Sequence, residues 1–405
     1  MIDKHFLKGI ITIGFGQVTA KILGVFFLII ITWFLTTEEY GYVRYVMAFG
    51  TIATFVVTSG YPSALIRYLG KSKDDITLKD LYFSNTVFIT LFLFLGTLLV
   101  VFLIGKLDVG VFLVIFGLTI SSVCLAAFSG LMLPSKIAVF SVGNGLAHIG
   151  LIILLYFSIG QLHPLHVLAI YAVGYVLIMV GIELLKPTQI SFRLHLISTE
   201  TMKELSIFAL PITVGTIGYT LLSSVDVIFI EHFLGLEQVG IYSVAKTLTV
   251  IFMFVPQAFT TILMPKIAGL KRGDNIKHYF KLALAITLLI SFALLGGFYF
   301  FGTFAINLLF GERYLISSSV LFVLSVGMVF SAISWILAAV WVGIGKPSFH
   351  AKTMTLAAIV NIIGNIVLTP RLGIIGTSLS FTIAYFINLL LLMFFTYAKL
   401  YKTRK

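Results

Sequence analysis

The chain is poor in charge and has a single cysteine among its 405 residues. The lone thiol, Cys124, excludes an intramolecular disulfide and any cysteine-rich metal site. No G-x-x-x-x-G-K-S/T loop is present, so the sequence carries no phosphate-cradling ATPase signature. It shows no His-rich or Cys-rich metal spacing and no recognisable Ser/His/Asp set. Charged residues make up 10% of the chain and hydrophobic residues 60%. A soluble domain cannot cover its surface with so little charge, so the composition is that of an integral membrane protein. Length then counts spanning helices of about 20 apolar residues each. The first run, Ile10 to Leu35, is too long for the core of a signal peptide and reads as a retained helix.

Twelve spans are expected, at residues 10–35, 42–66, 82–104, 109–132, 137–158, 164–186, 206–231, 240–265, 280–302, 316–342, 349–369 and 374–398. The formal net charge is +12. The basic residues are juxtamembrane rather than interleaved with aromatics along an extended segment, which speaks against nucleic acid and for anionic lipid headgroups. With both termini in the cytoplasm, 21 of the 27 Lys and Arg fall in cytoplasmic segments. Only Lys106, Arg313 and Arg371 fall outside, an asymmetry that sets the orientation and an even helix count. Every outer loop is short, the longest being expected at Gly302–Leu315. The fold class is therefore an all-α integral membrane bundle.

The chain reads as duplicated. At a shift of 199 residues, Phe34-Leu35 falls on Phe233-Leu234, Glu38 on Glu237 and Gly41 on Gly240. Ile52 then falls on Ile251, Phe55-Val56 on Phe254-Val255, Arg67 on Lys266 and Gly70 on Gly269. At a shift of 213, Pro134-Ser135 falls on Pro347-Ser348 and Gly160 on Gly373. Each copy holds six spans, so both start on one side of the membrane, a parallel repeat. The division is an N-terminal lobe, 1–190, and a C-terminal lobe, 191–405, with the boundary in the cytoplasmic stretch Pro187–Lys203. Two such lobes around a cavity make a transporter plan, and a duplicated bundle without a cavity is the plainer reading.

Three cations lie inside spans: Lys21 near the middle of the first, Arg44 about one turn into the second, and Lys246 about two turns into the eighth. A charge at depth costs at least ~2.5–3.5 kcal/mol and must face protein or water. Together they suit an anion, and the planar fork of Arg44 suits a phosphate. Snorkelling or local pairing is the alternative for each. Asp226, in the seventh span, can pair with Lys246 or bind a coupling cation. Asn361 and Asn365 share a helix face by their i, i+4 spacing. With Thr377 and Ser380 they complete an oxygen-rich site for sodium, or serve as ordinary interhelical hydrogen bonders. His148 reads as a packing histidine and Glu183 as a local partner of Lys186. Pro211 is expected in the first turns of its helix, and Pro256 is expected to kink the eighth span. Glycines at 14, 16 and 24 and at 215 and 218 thin the first and seventh spans, which are taken as the moving elements.

The stretch from Gly16-Gln17-Val18 through "AKILGVFFLIIITWFLTTEEYGYVRYVMAFG" resembles the start of the polysaccharide-transport (Wzx-type) flippases, with their "L…EYG" turn at Leu35, Glu39, Tyr40 and Gly41. These belong to the multidrug/oligosaccharidyl-lipid/polysaccharide (MOP) exporter superfamily. "GKPSFHAKTMTLAAIVNIIGNIVLTPRLGIIGTSLS" resembles the later helices of the same group. The resemblance implies a MATE-like plan of twelve helices in two lobes, in the inner or plasma membrane. It implies translocation of a polyprenyl-diphosphate-linked oligosaccharide, O-antigen units included, to the outer leaflet by alternating access. Lys21, Arg44 and Lys246 would hold the diphosphate. Asp226, Asn361, Asn365 and Thr377 would bind a coupling Na+ or H+, with no other cofactor. Polysaccharide-assembly proteins are implied partners. A cation-coupled multidrug exporter of the same superfamily is the alternative, and a membrane polysaccharide polymerase or ligase a weaker one, since those present a large outer loop.

Overall fold

The computed structural model describes residues 4–72, 75–260, 276–343 and 346–401. The helices are α1 (Lys4–Phe34), α2 (Thr37–Ala53), α3 (Phe55–Thr58), α4 (Gly60–Lys71), α5 (Ile76–Leu103), α6 (Val109–Gly130), α7 (Pro134–Ile159) and α8 (Pro164–Leu185). They continue with α9 (Thr199–Leu234), α10 (Leu236–Thr249), α11 (Ile276–Phe310), α12 (Ser317–Gly343) and α13 (Pro347–Tyr401). Ten helices among the described residues are long and apolar enough to cross a membrane, or eleven if the bent pair Thr37–Ala53 and Phe55–Lys71 counts as one span. Large side chains such as Phe157, Leu184, Leu185 and Phe300 stand exposed on these helices, as hydrocarbon-facing residues do in a bilayer protein.

Helix starts follow local chemistry. Thr36 and Glu39 form a reciprocal capping box on α2: the Thr36 N–H donates to Glu39 Oε2 at 2.9 Å and the Glu39 N–H to Thr36 Oγ1 at 3.2 Å. The acidic turns expected before the second and eighth spans are therefore the first helical turns themselves, where Glu38, Glu39 and Glu237 oppose the helix dipole. Asp75 and Asp108 cap α5 and α6, accepting from the Leu78 and Val111 N–H groups. Past α2 the chain bends by 62°. Thr51, Thr54, Thr58 and Ser63 each turn a hydroxyl back onto the carbonyl four residues earlier. Pro62 removes a further backbone donor, so hydroxyl competition and a missing N–H account for the break.

Several expected boundaries are corrected. The seventh span begins at Thr199, which puts Pro211 three turns into the helix rather than in its first turns. Polar residues at 199–204 can continue a helix beyond the membrane core, and an apolarity window stops short of them. The ninth span continues to Phe310, where Gly311 (φ 91°) ends it, so the expected outer loop from 302 shrinks to a turn around Glu312–Tyr314. The last two expected spans both lie in α13 and are divided by a kink at Gly373 (φ 62°, ψ −147°), where the break between them is expected. Helix α10 passes into a 3-10 turn at Val250–Met253 just before Pro256. Glu183 pairs with Lys136 at 3.1 Å, not with Lys186, because α7 brings in a partner 47 residues away. His148 is buried, with Nε2 3.1 Å from the Tyr171 carbonyl and its ring stacked on Tyr171. The repeat positions Lys266 and Gly269 lie outside the described residues.

By packing, the chain forms two compact units, Met1–Leu35 with Val46–Ile217, and Thr36–Tyr45 with Gly218–Lys405. The first turns of α2 thus belong to the second unit, and the first half of α9 to the first.

Inside the first unit, the segment between α8 and α9 is strapped to one face of α5. Asp80 accepts from the Ser191 N–H at 2.7 Å and pairs with Arg193 Nε at 2.9 Å. Ser84 accepts from the Arg193 N–H, and Asn85 clamps the Ser198 N–H and the Leu196 carbonyl. Asp80, Ser84 and Asn85 are all buried. Losing a buried charged acceptor costs ~1.5–3 kcal/mol. Asp80→Ala should therefore speed tryptic cleavage after Arg193 by about ten- to a hundred-fold, since each ~1.4 kcal/mol is a factor of ten. An unchanged rate would mean that the strap contributes nothing to holding the segment.

Candidate functional site: a buried ion-pair network in the second unit

Helices α9, α10 and α13 bring most of the expected cation-site residues together. Asp226 of α9 is fully buried. Lys246 of α10 reaches it with Nζ 3.3 Å from Oδ2, and also donates to the Ser223 carbonyl at 2.9 Å. Tyr242, one turn before Lys246, donates its hydroxyl to the same Oδ2 at 2.8 Å. The rings of Tyr242 and Phe381 flank the ammonium at 5.5 and 5.8 Å.

The other carboxylate oxygen faces α13. Asn365 Nδ2 donates to Asp226 Oδ1 at 3.1 Å and to the Asn361 carbonyl at 2.9 Å. Thr369 donates to Asn365 Oδ1 at 3.0 Å and lies 2.9 Å, hydroxyl to hydroxyl, from Thr377. Thr377 stands beyond Gly373, so the break in α13 lets one helical element return a hydroxyl to its own earlier turns. Asn361, Asn365, Thr369 and Thr377 have no exposure. Asn361 is the exception to saturation: neither its amide oxygen nor its amide nitrogen has a partner. A buried orphan of this kind costs ~1–3 kcal/mol. Ser380 stands apart from the chain of bonds, its hydroxyl turned onto the Gly376 carbonyl.

Arg44 falls in the same unit, on α2. Its charge acts on Lys246 and its buried Nε has no hydrogen-bond partner. Asp226 is thus paired with Lys246, and Arg44 is a second cation acting on that lysine. Tyr40, one turn earlier, packs edge-on to Tyr314 at 6.2 Å. The helix starts of α2 and α10 touch through repeat-equivalent glycines. A Cβ on Gly41 would stand 1.8 Å from the Leu236 carbonyl oxygen, and one on Gly240 2.3 Å from the Thr37 oxygen. The two contacts exchange under the 199-residue shift.

Lys21 belongs to the first unit. It is exposed on α1 and makes no ion pair or hydrogen bond among the described residues. Gln17, one turn before it, is exposed on the same face, and a Cβ added at Gly14 or Gly24 would meet nothing within 4 Å. Small and polar residues at this i, i+3, i+4 spacing make a poor surface for lipid, and Phe15, Phe26 and Trp33 supply the exposed apolar one. Gln17, Tyr242 and Thr369 were not singled out from the sequence. Each stands four residues from one that was, and that spacing is the signal that finds them.

No cluster of three or more His, Cys, Asp or Glu able to hold a metal occurs among the described residues. A monovalent cation asks less. The oxygens of Asp226, Asn361, Asn365, Thr369 and Thr377 are the hard donors such an ion takes, and the unpartnered Asn361 fits one. Here the Lys246 ammonium holds the carboxylate.

Among proteins of known sequence, the chain is 28% identical over 200 residues to the uncharacterized membrane protein MJ1068 of Methanocaldococcus jannaschii, over 47% of this chain and 38% of that one. It is 23% identical over 181 residues to the probable low-salt glycan biosynthesis flippase Agl15 of Haloferax volcanii, over 44% and 38% of the two chains. It is 24% identical over 196 residues to the capsular polysaccharide biosynthesis protein CapF of Staphylococcus aureus, over 48% and 50%. The chain thus matches half the length of these relatives or less. Its fold is that of the lipid II flippase MurJ in an inward closed conformation, at TM-score 0.78 and 15% identity over 95% of this chain and 87% of that one. An inward-facing MATE transporter of the MOP superfamily follows, at 0.75 and 17% over 95% and 96%. The MatE family model matches residues 211–367, which include Asp226, Lys246, Asn361 and Asn365. The polysaccharide biosynthesis protein model matches residues 6–271, more than half of the chain, and the chain belongs to that family.

Proposed function

We propose that the protein flips a polyprenyl-diphosphate-linked oligosaccharide from the cytoplasmic to the outer leaflet by alternating access, for surface polysaccharide assembly. The observation that carries this is the second cation beside the Lys246–Asp226 pair, Arg44, whose buried Nε has no hydrogen-bond partner among the described residues. Lys21, Arg44 and Lys246 engage the diphosphate, and the hydrocarbon tail stays in the bilayer. Arg44 does so through its fork, which matches two phosphate oxygens at once. The bent pair after Thr36 counts as one span and α13 as two, divided at Gly373. At about 1.5 Å per residue, the parts of α13 before and after the kink at Gly373 are each about 40 Å long, enough to cross ~30 Å of hydrocarbon. That makes twelve spans in two six-helix lobes, with both termini in the cytoplasm. Asp226, Asn361, Asn365 and Thr377 hold the coupling cation. The names of Agl15 and CapF, which are glycan and capsule proteins, support this reading.

Arg44→Ala should lower transfer of lipid-linked glycan to the outer leaflet at least about thirty-fold, because a charged hydrogen bond lost at a desolvated phosphate costs ~2–5 kcal/mol. Lipid-linked glycan would collect in the cytoplasmic leaflet, and Arg44→Lys would recover part of the flux. Normal surface glycan in a well-expressed Arg44→Ala strain would overturn the assignment. The MatE match over 211–367 favours a second reading, a cation-coupled drug exporter. Altered resistance to cationic compounds with no glycan phenotype would select it.

A further inference from the structure

We propose that Lys246 is a tethered cation occupying the seat of the coupling ion, and that the anionic substrate opens this seat by drawing the lysine away. The inference rests on the proposed function for the identity of the anion and adds the order of events at the site. Three observations support it. The Lys246 ammonium lies on Asp226 Oδ2, one of the two carboxylate oxygens an incoming cation would need. The Asp226 side chain is 0% exposed and the Lys246 side chain 19%, so the lysine is the accessible member and covers the acid. The neighbouring Asn361 is fully buried with both amide atoms unpartnered, a coordination position built but unused while the lysine is in place.

The charged and titratable groups facing the pair are Arg44 from α2, Tyr242 from α10 and Tyr385 from α13. Arg44 repels the lysine, and Tyr242 donates to the carboxylate. A diphosphate bridging Arg44 and Lys246 removes that repulsion and supplies the lysine with a new counter-charge. Asp226 is then left sharing only the Tyr242 and Asn365 hydrogen bonds, a carboxylate in a sealed site, and a small monovalent cation replaces the ammonium. Anion and cation therefore bind cooperatively rather than in competition. By linkage each raises the affinity of the other by the same factor.

The test uses the full-length protein in nanodiscs, with farnesyl diphosphate as the anion probe and radiolabelled sodium as the cation, at constant ionic strength in choline chloride. Wild-type protein should bind sodium weakly alone and about ten-fold or more tightly with farnesyl diphosphate. Lys246→Met should bind sodium at the tightened affinity without the anion and show no further response. Asp226→Asn should abolish sodium binding in either background. Lys246→Gln provides a second neutral variant, and wild-type protein alone supplies the reciprocal measurement, sodium tightening farnesyl diphosphate by the same factor. Diphosphate that binds without changing sodium affinity overturns the inference and leaves the flippase reading standing. A neutral variant that binds no more sodium than wild type also overturns it. Failure of the diphosphate to bind at all counts against the flippase reading and the coupling together, while the neutral variants still decide whether the lysine holds the seat.

Discussion

Asp226→Ala is expected to destabilise the protein by about 3–5 kcal/mol, the cost of leaving one member of a buried ion pair without the other. The carboxylate accepts from Lys246, Tyr242 and Asn365, so its removal strips three donors of their acceptor at once. Lys246 retains only the Ser223 carbonyl. Asp226→Leu with Lys246→Met, which removes both charges, should recover most of the loss, because well-packed apolar replacements of buried pairs are often neutral in stability. The measurement is denaturant unfolding in detergent for the two singles and the double, read as a double-mutant cycle. A single variant losing less than about 1 kcal/mol, the range of exposed pairs, would show that the pair is solvated in the protein. The double variant should nevertheless fail to transport, which separates the pair's contribution to stability from its contribution to function.

Gly41→Ala is the second large effect. The added methyl would sit 1.8 Å from the Leu236 carbonyl oxygen and 3.0 Å from the Gly240 nitrogen, both of them backbone atoms. No rotamer change relieves such a contact, and a forced backbone shift costs about 1–3 kcal/mol or more. The packed start of α10 against α2 should open accordingly. In a Cys124→Ala background, Val239→Cys is a buried reporter beside this crossing. Its thiol labelling should rise about ten- to a hundred-fold when Gly41→Ala is added, at ~1.4 kcal/mol per factor of ten. Gly240→Ala should give a similar rise, since its methyl would meet the Thr37 oxygen. Equal labelling in all backgrounds would mean that the crossing is not a closed contact in the membrane.

Membrane character, the count of apolar helices to within one or two, and several site residues were legible in the sequence, because hydrocarbon length and helical spacing are local properties. Asn361, Asn365 and Thr377 could be grouped from the i, i+4 rule and the turn at Gly373. The Lys246–Asp226 pair was one of two alternatives, because the sequence cannot say whether α9 and α10 face each other at that depth. Glu183 shows the limit most plainly. Lys186 is its near neighbour along the chain, but α7 delivers Lys136 instead. The bend after α2 had visible causes in Thr51, Thr54, Thr58 and Pro62, yet an apolarity window passes over hydroxyls that bond to their own helix. Asp80, Ser84 and Asn85 were legible only as the polar start of a span, and their targets lie more than a hundred residues away.

The strap on α5 and the division of α2 and α9 between the packing units also bear on where the chain can be cut. The stretch between α8 and α9, where the expected lobes meet, is the obvious place to cut the chain into two fragments. A fragment ending there would lack the part of α9 that completes its packing, residues up to Ile217, and would carry residues 36–45 that belong to the other unit. A cut between α8 and α9 therefore divides both packing units instead of separating one from the other.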